Sequence, residues 1–190
     1  VLVGTTGTVF PITAQGITVV TWVYDDLRGN IVTQDQNVTI NDVTLPVADL
    51  VSLPDLLDVC AIASLTAPTA TDNCTGVVIG TTTAVLPITA QGTTVVIWSF
   101  EDASGNISTQ AQNVIINDGT LPVADALALT DLTDECAIAS LVPPTATDNC
   151  IGSITGTTAT VLPITAQGTT VIIWSFDDGN GNVSTQTQNV

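Results

Sequence analysis

Apolar and polar residues alternate through Thr94–Phe100 (TVVIWSF). Val96, Trp98 and Phe100 share one face, and Val95, Ile97 and Ser99 share the other. A period of two is the mark of a half-buried strand. The next stretch, ISTQAQNVIIND (107–118), is rich in β-branched residues. It predicts a second strand, joined to the first through ASGN, a hairpin-like turn. CAIASLTAP (60–68) and VVIGTTTAVLP (77–87) predict earlier strands. Gly and Pro punctuate them at intervals of about 8–12 residues, as in a β-sandwich. No helical period persists, although LPDLLDV (53–59) fits one short turn.

The pattern recurs. PITAQG stands at 11–16, 87–92 and 163–168, and the interval is the same both times. The same offset aligns TATDNC (69–74, 145–150), LPVAD (45–49, 121–125) and CAIASL (60–65, 136–141). Trp22, Trp98 and Trp174 also fall in register. A fixed long period marks a stacked repeat, in which one supersecondary unit is copied. The joints are NDVTLP (41–46) and NDGTLP (117–122), where Asn-Asp, a polar turn residue and Pro interrupt pairing. They divide the chain into 1–42, the C-terminal half of a repeat; 43–118, a complete repeat; and 119–190, a nearly complete one. About seven short strands per repeat predict an all-β fold of tandem immunoglobulin-like β-sandwich domains with a 76-residue repeat. The Trp of each VIWSF-type strand is the expected core aromatic. The half-repeat 1–42 is too small to bury a core alone. Either a longer array or a neighbouring molecule is expected to complete it.

Charge narrows the function. The chain has 190 residues, no Lys and no His; Arg28 is its one basic residue, against 18 carboxylates, for a net charge of −17. Yet 45% of residues are hydrophobic, unlike a disordered acidic tail. Such a surface repels nucleic acid and anionic membranes, which need clustered Lys and Arg. It suits a cation. No apolar run reaches the ~20 residues of a membrane span, so no membrane insertion is expected. Val1 opens the sequence with no visible signal peptide, which fits a mature or excised segment of something longer. Four cysteines in two equal pairs suggest disulfides and an extracellular or cell-surface location.

One ordered combination is specific. P-T-A-T-D-N-C precedes G-T-T-x-V-x-W-x-F-x-D-x-x-G-N, and a strand ending in N-D before a Pro follows. In this the chain resembles the HYR (hyalin repeat) family, and more closely the HYR-like, immunoglobulin-like repeats of long bacterial surface proteins, some of them fibril-forming. The resemblance covers essentially the whole chain. It implies extracellular stalks, adhesins and fibres, and no enzyme.

Three acidic elements recur. They are the joint (Asn41-Asp42, Asn117-Asp118), the TATDN segment (Asp72-Asn73, Asp148-Asn149) and the turn after the Trp strand. That turn reads Asp25-Asp26…Gly29-Asn30, Glu101-Asp102…Gly105-Asn106 and Asp177-Asp178…Gly181-Asn182. In an immunoglobulin-like topology the TATDN and D-x-x-G-N loops lie at one pole, where the preceding joint also enters. Asp42, Asp72, Asp102 and Asn106 then converge, as do Asp118, Asp148, Asp178 and Asn182. Hard oxygen ligands of this kind, with backbone carbonyls, suit Ca²⁺. The resemblance implies the same, because related surface repeats hold calcium between domains. Asp, Asn and Gly also dominate ordinary turns for backbone reasons.

Cys60 precedes Cys74, and Cys136 precedes Cys150, by the same short interval. Pairing within each repeat is the expectation. It would close a loop of ~15 residues and stabilise by about 3 kcal/mol in the chain-entropy account. A fully extended CAIASLTAP would carry Cys60 out of reach of Cys74, so an irregular lead-in is required. Free thiols and bonds between repeats remain the alternatives. With no His and no CxxC, a zinc site is not expected. Asn37, Asn73, Asn106 and Asn182 head Asn-x-Ser/Thr sequons and are candidate glycosylation sites.

Catalysis needs a nucleophile with a base, or a poised acid. The chain lacks His and Lys, and the paired acids repeat in every unit, which suits a joint better than an active site. The expected function is a structural repeat of an extracellular bacterial fibre or stalk, rigidified by disulfides and interdomain Ca²⁺. Its expected partners are further copies of itself or adjacent repeats. The alternative is an adhesin module that binds glycan or protein on another surface. Repeated loops poor in aromatic residues favour the stalk.

Overall fold

A computed structural model describes residues 1–190 and contains strands without helices. The strands are β1 (Gly16–Asp25), β2 (Ile31–Ile40), β3 (Val47–Ala48), β4 (Leu56–Asp58), β5 (Thr69–Asp72), β6 (Gly76–Ile79), β7 (Gly92–Glu101) and β8 (Ile107–Ile116). They continue as β9 (Val123–Ala124), β10 (Thr145–Asp148), β11 (Gly152–Thr155), β12 (Val171–Asp177) and β13 (Val183–Asn189). Contacts group the chain into two compact units. One comprises Val1–Leu53, Thr66–Thr83 and Ile97–Ala111; the other comprises Pro54–Leu65, Ala84–Val96 and Gln112–Val190. The grouping runs through β7 and β8, so it follows packing and not the sequence period.

In the second unit the sandwich is easiest to see. The sheet β11-β10-β9 and the hairpin β12-β13 supply its two layers. Ala146 and Ile154 of the first pack with Ile172, Trp174 and Phe176 of the second. Those three residues alternate along β12 with exposed Val171 and Ile173, as the period of two requires. Leu129, Leu141, Ile164 and Val190 close the edges of this core. The Trp174 indole is buried but not orphaned, because its Nε1–H donates to Gln188 Oε1 at 3.0 Å. The fold is therefore the all-β, immunoglobulin-like sandwich that the alternation predicts.

In the first unit, β1 and β2 form a hairpin paired from Gly16↔Ile40 to Asp25↔Ile31, and β3, β5 and β6 form a second sheet. Trp22 is only half-buried here, whereas Trp98 and Trp174 are buried. The strand pattern is the same in each case. What differs is the cover: most of β2 is exposed.

Each PITAQG segment makes a corner. Its Pro follows a cis peptide bond in all three copies. Ile88 and Ile164 then bridge to Ile62 and Ile138, the isoleucines of the two CAIAS segments. The Gly that ends the motif has φ of +94°, +91° and +99° at Gly16, Gly92 and Gly168. That left-handed conformation favours Gly and starts the Trp strand.

Gly156 illustrates a different constraint. A Cβ there would lie 2.9 Å from Phe176 Cε1 and 3.1 Å from the Pro144 carbonyl oxygen, and Gly80 meets Phe100 and Pro68 in the same way. The Gly156→Ala variant should lose about 1–3 kcal/mol through overpacking. The urea midpoint reads this directly, and an unchanged midpoint would refute the tight fit.

Three sequence expectations need correction. LPDLLDV forms no helical turn. Its Leu56–Asp58 is a strand that runs parallel to β8, with Leu56↔Val114 and Asp58↔Ile116. Short apolar runs do not separate helix from strand, and a parallel partner so far along the chain leaves no local trace. Second, TATD is a strand in both copies, with only the following residues in the turn. CAIAS, by contrast, contributes only an isolated bridge.

The third correction concerns the cysteines. Cys60 is bonded to Cys150, with Cα atoms 5.1 Å apart, while Cys74 and Cys136 are free. Pairing within the repeat fails for a geometric reason, plainest in the last copy. Leu132 N donates to the Asn189 carbonyl, so the segment leading to Cys136 lies at the C-terminal end of β13. Cys150 belongs to the turn after Asp148, beside Asp118, and the Asp118 carbonyl accepts from Asn182 just before β13 begins. The extended strand between holds those ends about 20 Å apart, well beyond the reach of a disulfide. Cys60 likewise follows β4, which lies along the C-terminal end of β8. The alternative of a bond between repeats is the one realised.

Acid clamps recur too. Thr69 and Thr71 hydroxyls donate to Asp49, and Thr145 and Thr147 to Asp125. These bonds hold both carboxyls below their ordinary value near 3.8. Backbone N–H groups of Cys60 and Ala61 do the same for Asp58, and those of Cys136 and Ala137 for Asp134. A carboxyl with a depressed folded pKa contributes stability above its unfolded pKa and loses it as pH falls through the folded one. The melting temperature should therefore stay level from pH 7 to about pH 5 and drop below about pH 4. Stability that rose on acidification through that range would contradict these assignments.

Candidate metal centre at the repeat joint

The sequence of each D-x-x-G-N turn dictates its shape. Asp102 Oδ1 accepts from Ser104 N and Asn106 N, both at 2.8 Å, and Oδ2 accepts from Asn106 Nδ2 at 2.8 Å. Asp178 repeats the pattern with Asn180 N, Asn182 N and Asn182 Nδ2 at 2.7, 3.1 and 2.7 Å. Asp26 does so with Arg28 and Asn30. Burial pushes the Asp102 and Asp178 carboxyls up, but the donors from Asn106 and Asn182 and from the turn backbones outweigh it. Both therefore lie below the ordinary value. Each turn is thus built around an ionised carboxylate.

The TATDN turn is built likewise. Asp72 Oδ1 accepts from Cys74 N at 2.9 Å and Thr75 N at 2.7 Å; Asp148 Oδ1 accepts from Cys150 N at 2.8 Å and Ile151 N at 3.0 Å. The other oxygen is different. Asp72 Oδ2 and Asp148 Oδ2 are buried with no hydrogen-bond partner. An unpaired buried carboxylate oxygen is costly, and here it recurs at two equivalent positions.

The joint supplies the third side. In the first unit, Asn106 Nδ2 donates to the Asp42 carbonyl at 3.3 Å and Ser104 Oγ donates to Asp42 Oδ2 at 3.2 Å. In the second, Asn182 Nδ2 reaches the Asp118 carbonyl at 3.1 Å and Asn180 Nδ2 reaches Asp118 Oδ2 at 3.3 Å. Ligand-type atoms of Asp42, Asp72 and Cys74 lie within 4.8 Å of one another, as do those of Asp118, Asp148 and Cys150. Desolvation and the Asp42 and Asp72 charges push the Cys74 thiol up. Asp42, Asp72 and Asp102 are all buried, and so are Asp118, Asp148 and Asp178. Against these two acidic groups the chain carries a single basic side chain, Arg28.

Asn106 thus bonds to both Asp42 and Asp102, Asn182 bonds to both Asp118 and Asp178, and Asp72 and Asp148 lie beside Asp42 and Asp118. Asn106 and Asn182 donate through Nδ2, and their Oδ1 atoms remain acceptor-type oxygens alongside those of the aspartates. The residues that aim the joint were not anticipated. Gln15 Oε1 accepts from Asp42 N, and Gln91 Oε1 accepts from Asp118 N, both at 2.9 Å. These are the Gln of PITAQG, and their constant separation from the joint Asp was the available signal. Cys74 and Cys150 at the cluster were also not anticipated. Of the sequons, Asn37 and Asn73 are exposed, whereas Asn106 and Asn182 are half-buried and engaged in the joint.

The class of protein defined so far is an all-β repeat with acidic joints. No protein-family profile matches the chain. Among known proteins it is similar to hyalin of Lytechinus variegatus, 31% identical over 204 residues. That match covers 94% of this chain and 36% of hyalin, so the chain spans about a third of that relative's length. This agrees with the resemblance to hyalin repeats. Among solved structures, the extracellular cadherin domains 1–5 of protocadherin gamma B2 align over 93% of this chain and 45% of theirs, with 13% identity and a TM-score of 0.32. Mouse clustered PcdhgC3 EC1-3 aligns over 92% and 75%, with 10% identity and a TM-score of 0.31. Likeness at that level assigns nothing to this chain.

Proposed function

We propose that this chain is a load-bearing repeat segment of an extracellular fibre or surface stalk, and that Ca²⁺ stiffens its joints. The carrying observation is the pair of buried carboxylate corners, each with an unpartnered aspartate oxygen, placed one repeat apart in sequence. A structural repeat needs its joint fixed once per copy; a catalytic site does not. The Cys60–Cys150 disulfide and the similarity to hyalin support an extracellular setting. This reading takes the repeats as 1–42, 43–118 and 119–190, with Asp42 and Asp118 at the ends of the first two.

Asp42, Asp72 and Asp102 would hold one ion, and Asp118, Asp148 and Asp178 the next. Carboxylate oxygens and nearby carbonyls are the hard donors that Ca²⁺ selects. The ion would supply the positive charge that these buried groups lack. Gln15 and Gln91 keep the joint backbone in place, and the D-x-x-G-N turns hold their carboxylates ionised.

Calorimetric titration of the chain with calcium tests the reading. Two sites per chain are expected, falling to one in Asp148→Asn. Absence of heat and of any binding would overturn it. Electron microscopy of the native material tests the role: filaments with an axial repeat set by successive domains are expected, and isolated short monomers would contradict a fibre. Capture of a glycan by this segment on an array would instead favour the adhesin reading.

A further inference from the structure

The one disulfide of this chain obeys a rule that two more cysteines satisfy by half. Cys60 belongs to a CAIAS segment and Cys150 to a TATDNC turn, and 90 residues separate them. That is one repeat more than the separation within a repeat. Cys136 is the CAIAS cysteine of the next copy, and Cys74 is the TATDNC cysteine of the previous one. Both are exposed and free.

Their surroundings are already shaped for the bond. Asp58 Oδ1 accepts from Cys60 N at 2.9 Å and from Ala61 N at 3.2 Å. Asp134 Oδ1 holds Cys136 N and Ala137 N at 2.9 and 3.3 Å, so the bonded and the free cysteine sit in the same turn. Asp72 and Asp148 likewise fix the Cys74 and Cys150 turns alike. Asn149 adds a second match. Its Nδ2 lies 3.1 Å from Cys150 Sγ and 3.4 Å from Cys60 Sγ, spanning the disulfide. Asn73 makes the first of these contacts, 3.4 Å to Cys74 Sγ. A cleft of about 280 Å³ opens beside Cys136, lined also by Asp134, Ile138, Gln167, Gly168 and Asn189. The equivalent residues one repeat earlier are engaged: Cys60 by Cys150, and Gln91 by Asp118 N.

We infer that Cys60–Cys150 is one rung of a periodic disulfide ladder, and that Cys136 and Cys74 are the half-rungs that bond cysteines of neighbouring repeats of the same kind. Cys136 takes the thiol of a following TATDNC turn. Cys74 takes the thiol of a preceding CAIAS segment. In each rung two S–H bonds break and one S–S bond forms. The two protons and two electrons pass to a small-molecule or protein disulfide, such as oxidised glutathione, which is reduced to two thiols. A completed rung also takes the sulfur beside Asp42 and Asp72 out of the thiol state, leaving oxygen donors at the joint. The neighbour is either a further repeat of the same polypeptide or a second copy of the chain, and the test separates these.

The native protein is alkylated without reduction, digested at acidic residues and mapped by mass spectrometry. Expected is a cross-linked pair joining the Cys136 peptide to a TATDNC-type peptide other than its own Cys150, with no alkylated Cys136. Electrophoresis of the same material distinguishes the sources. A ladder that collapses on reduction places the neighbour on another chain; an unchanged mass places it in the same polypeptide. Either form supports the inference. Alkylated Cys136 and Cys74, or Cys136 bonded to Cys150, would overturn it. Calcium is not needed for this readout, so its outcome is separate from that of the proposed metal role.

Discussion

Replacing Cys60 and Cys150 together by serine is expected to cost about 4–5 kcal/mol in urea unfolding. The bond spans 90 residues, and the chain-entropy account scales with the logarithm of the loop it closes. A bond within one repeat would close a loop of about 15 residues and contribute about 3 kcal/mol. The double variant matters because Cys60→Ser alone would leave the Cys150 thiol free for exchange with other thiols. Wild-type and variant chains are compared oxidised, at equal ionic strength. A difference below about 1 kcal/mol would mean that the Cys60–Cys150 bond does not constrain the unfolded chain as inferred.

The Trp174→Ala variant should lose about 3–5 kcal/mol, the range for truncating a large buried aromatic. Trp174 is 2% exposed and sits between Ile172 and Phe176 on β12, against Ala146 and Ile154 of the facing sheet. Its removal also takes the donor from Gln188 Oε1. The same change at Trp22 should cost clearly less, because that indole is half-buried over a largely exposed hairpin. The two denaturation midpoints measured side by side test the comparison. Equal losses would show that burial does not set the value of this repeated residue.

Much of this was legible because it is local. Alternation in TVVIWSF fixes which residues face inward, and Val96, Trp98 and Phe100 are all buried. The recurrence of the acidic elements was legible in the sequence, and the bonds that tie Asn106 to Asp42 and Asn182 to Asp118 depend on where the fold places those loops. The disulfide was not legible. Evenly spaced cysteines in each copy are compatible with pairing within a repeat or between repeats, and only the place of each CAIAS cysteine along the last strand decides. β4 itself was missed because a short strand with a distant parallel partner has no local pattern. The role of Gln15 and Gln91 was hidden for a similar reason. A side chain that caps a backbone N–H in the next joint looks like any other turn residue.

Thermal unfolding and small-angle scattering, in calcium and then in excess chelator, test the joint most directly. At a calcium concentration about a hundredfold above Kd, each site should add about 2.7 kcal/mol. The melting temperature should rise, and the scattering dimensions should become better defined. In Asp72→Asn/Asp148→Asn the calcium effect should vanish, while the calcium-free chain becomes no less stable, because two unpartnered buried charges are gone. Melting curves and dimensions of the wild-type chain that coincide in calcium and chelator would contradict a cation-stiffened joint, and the acidic corners would then be turns and nothing more.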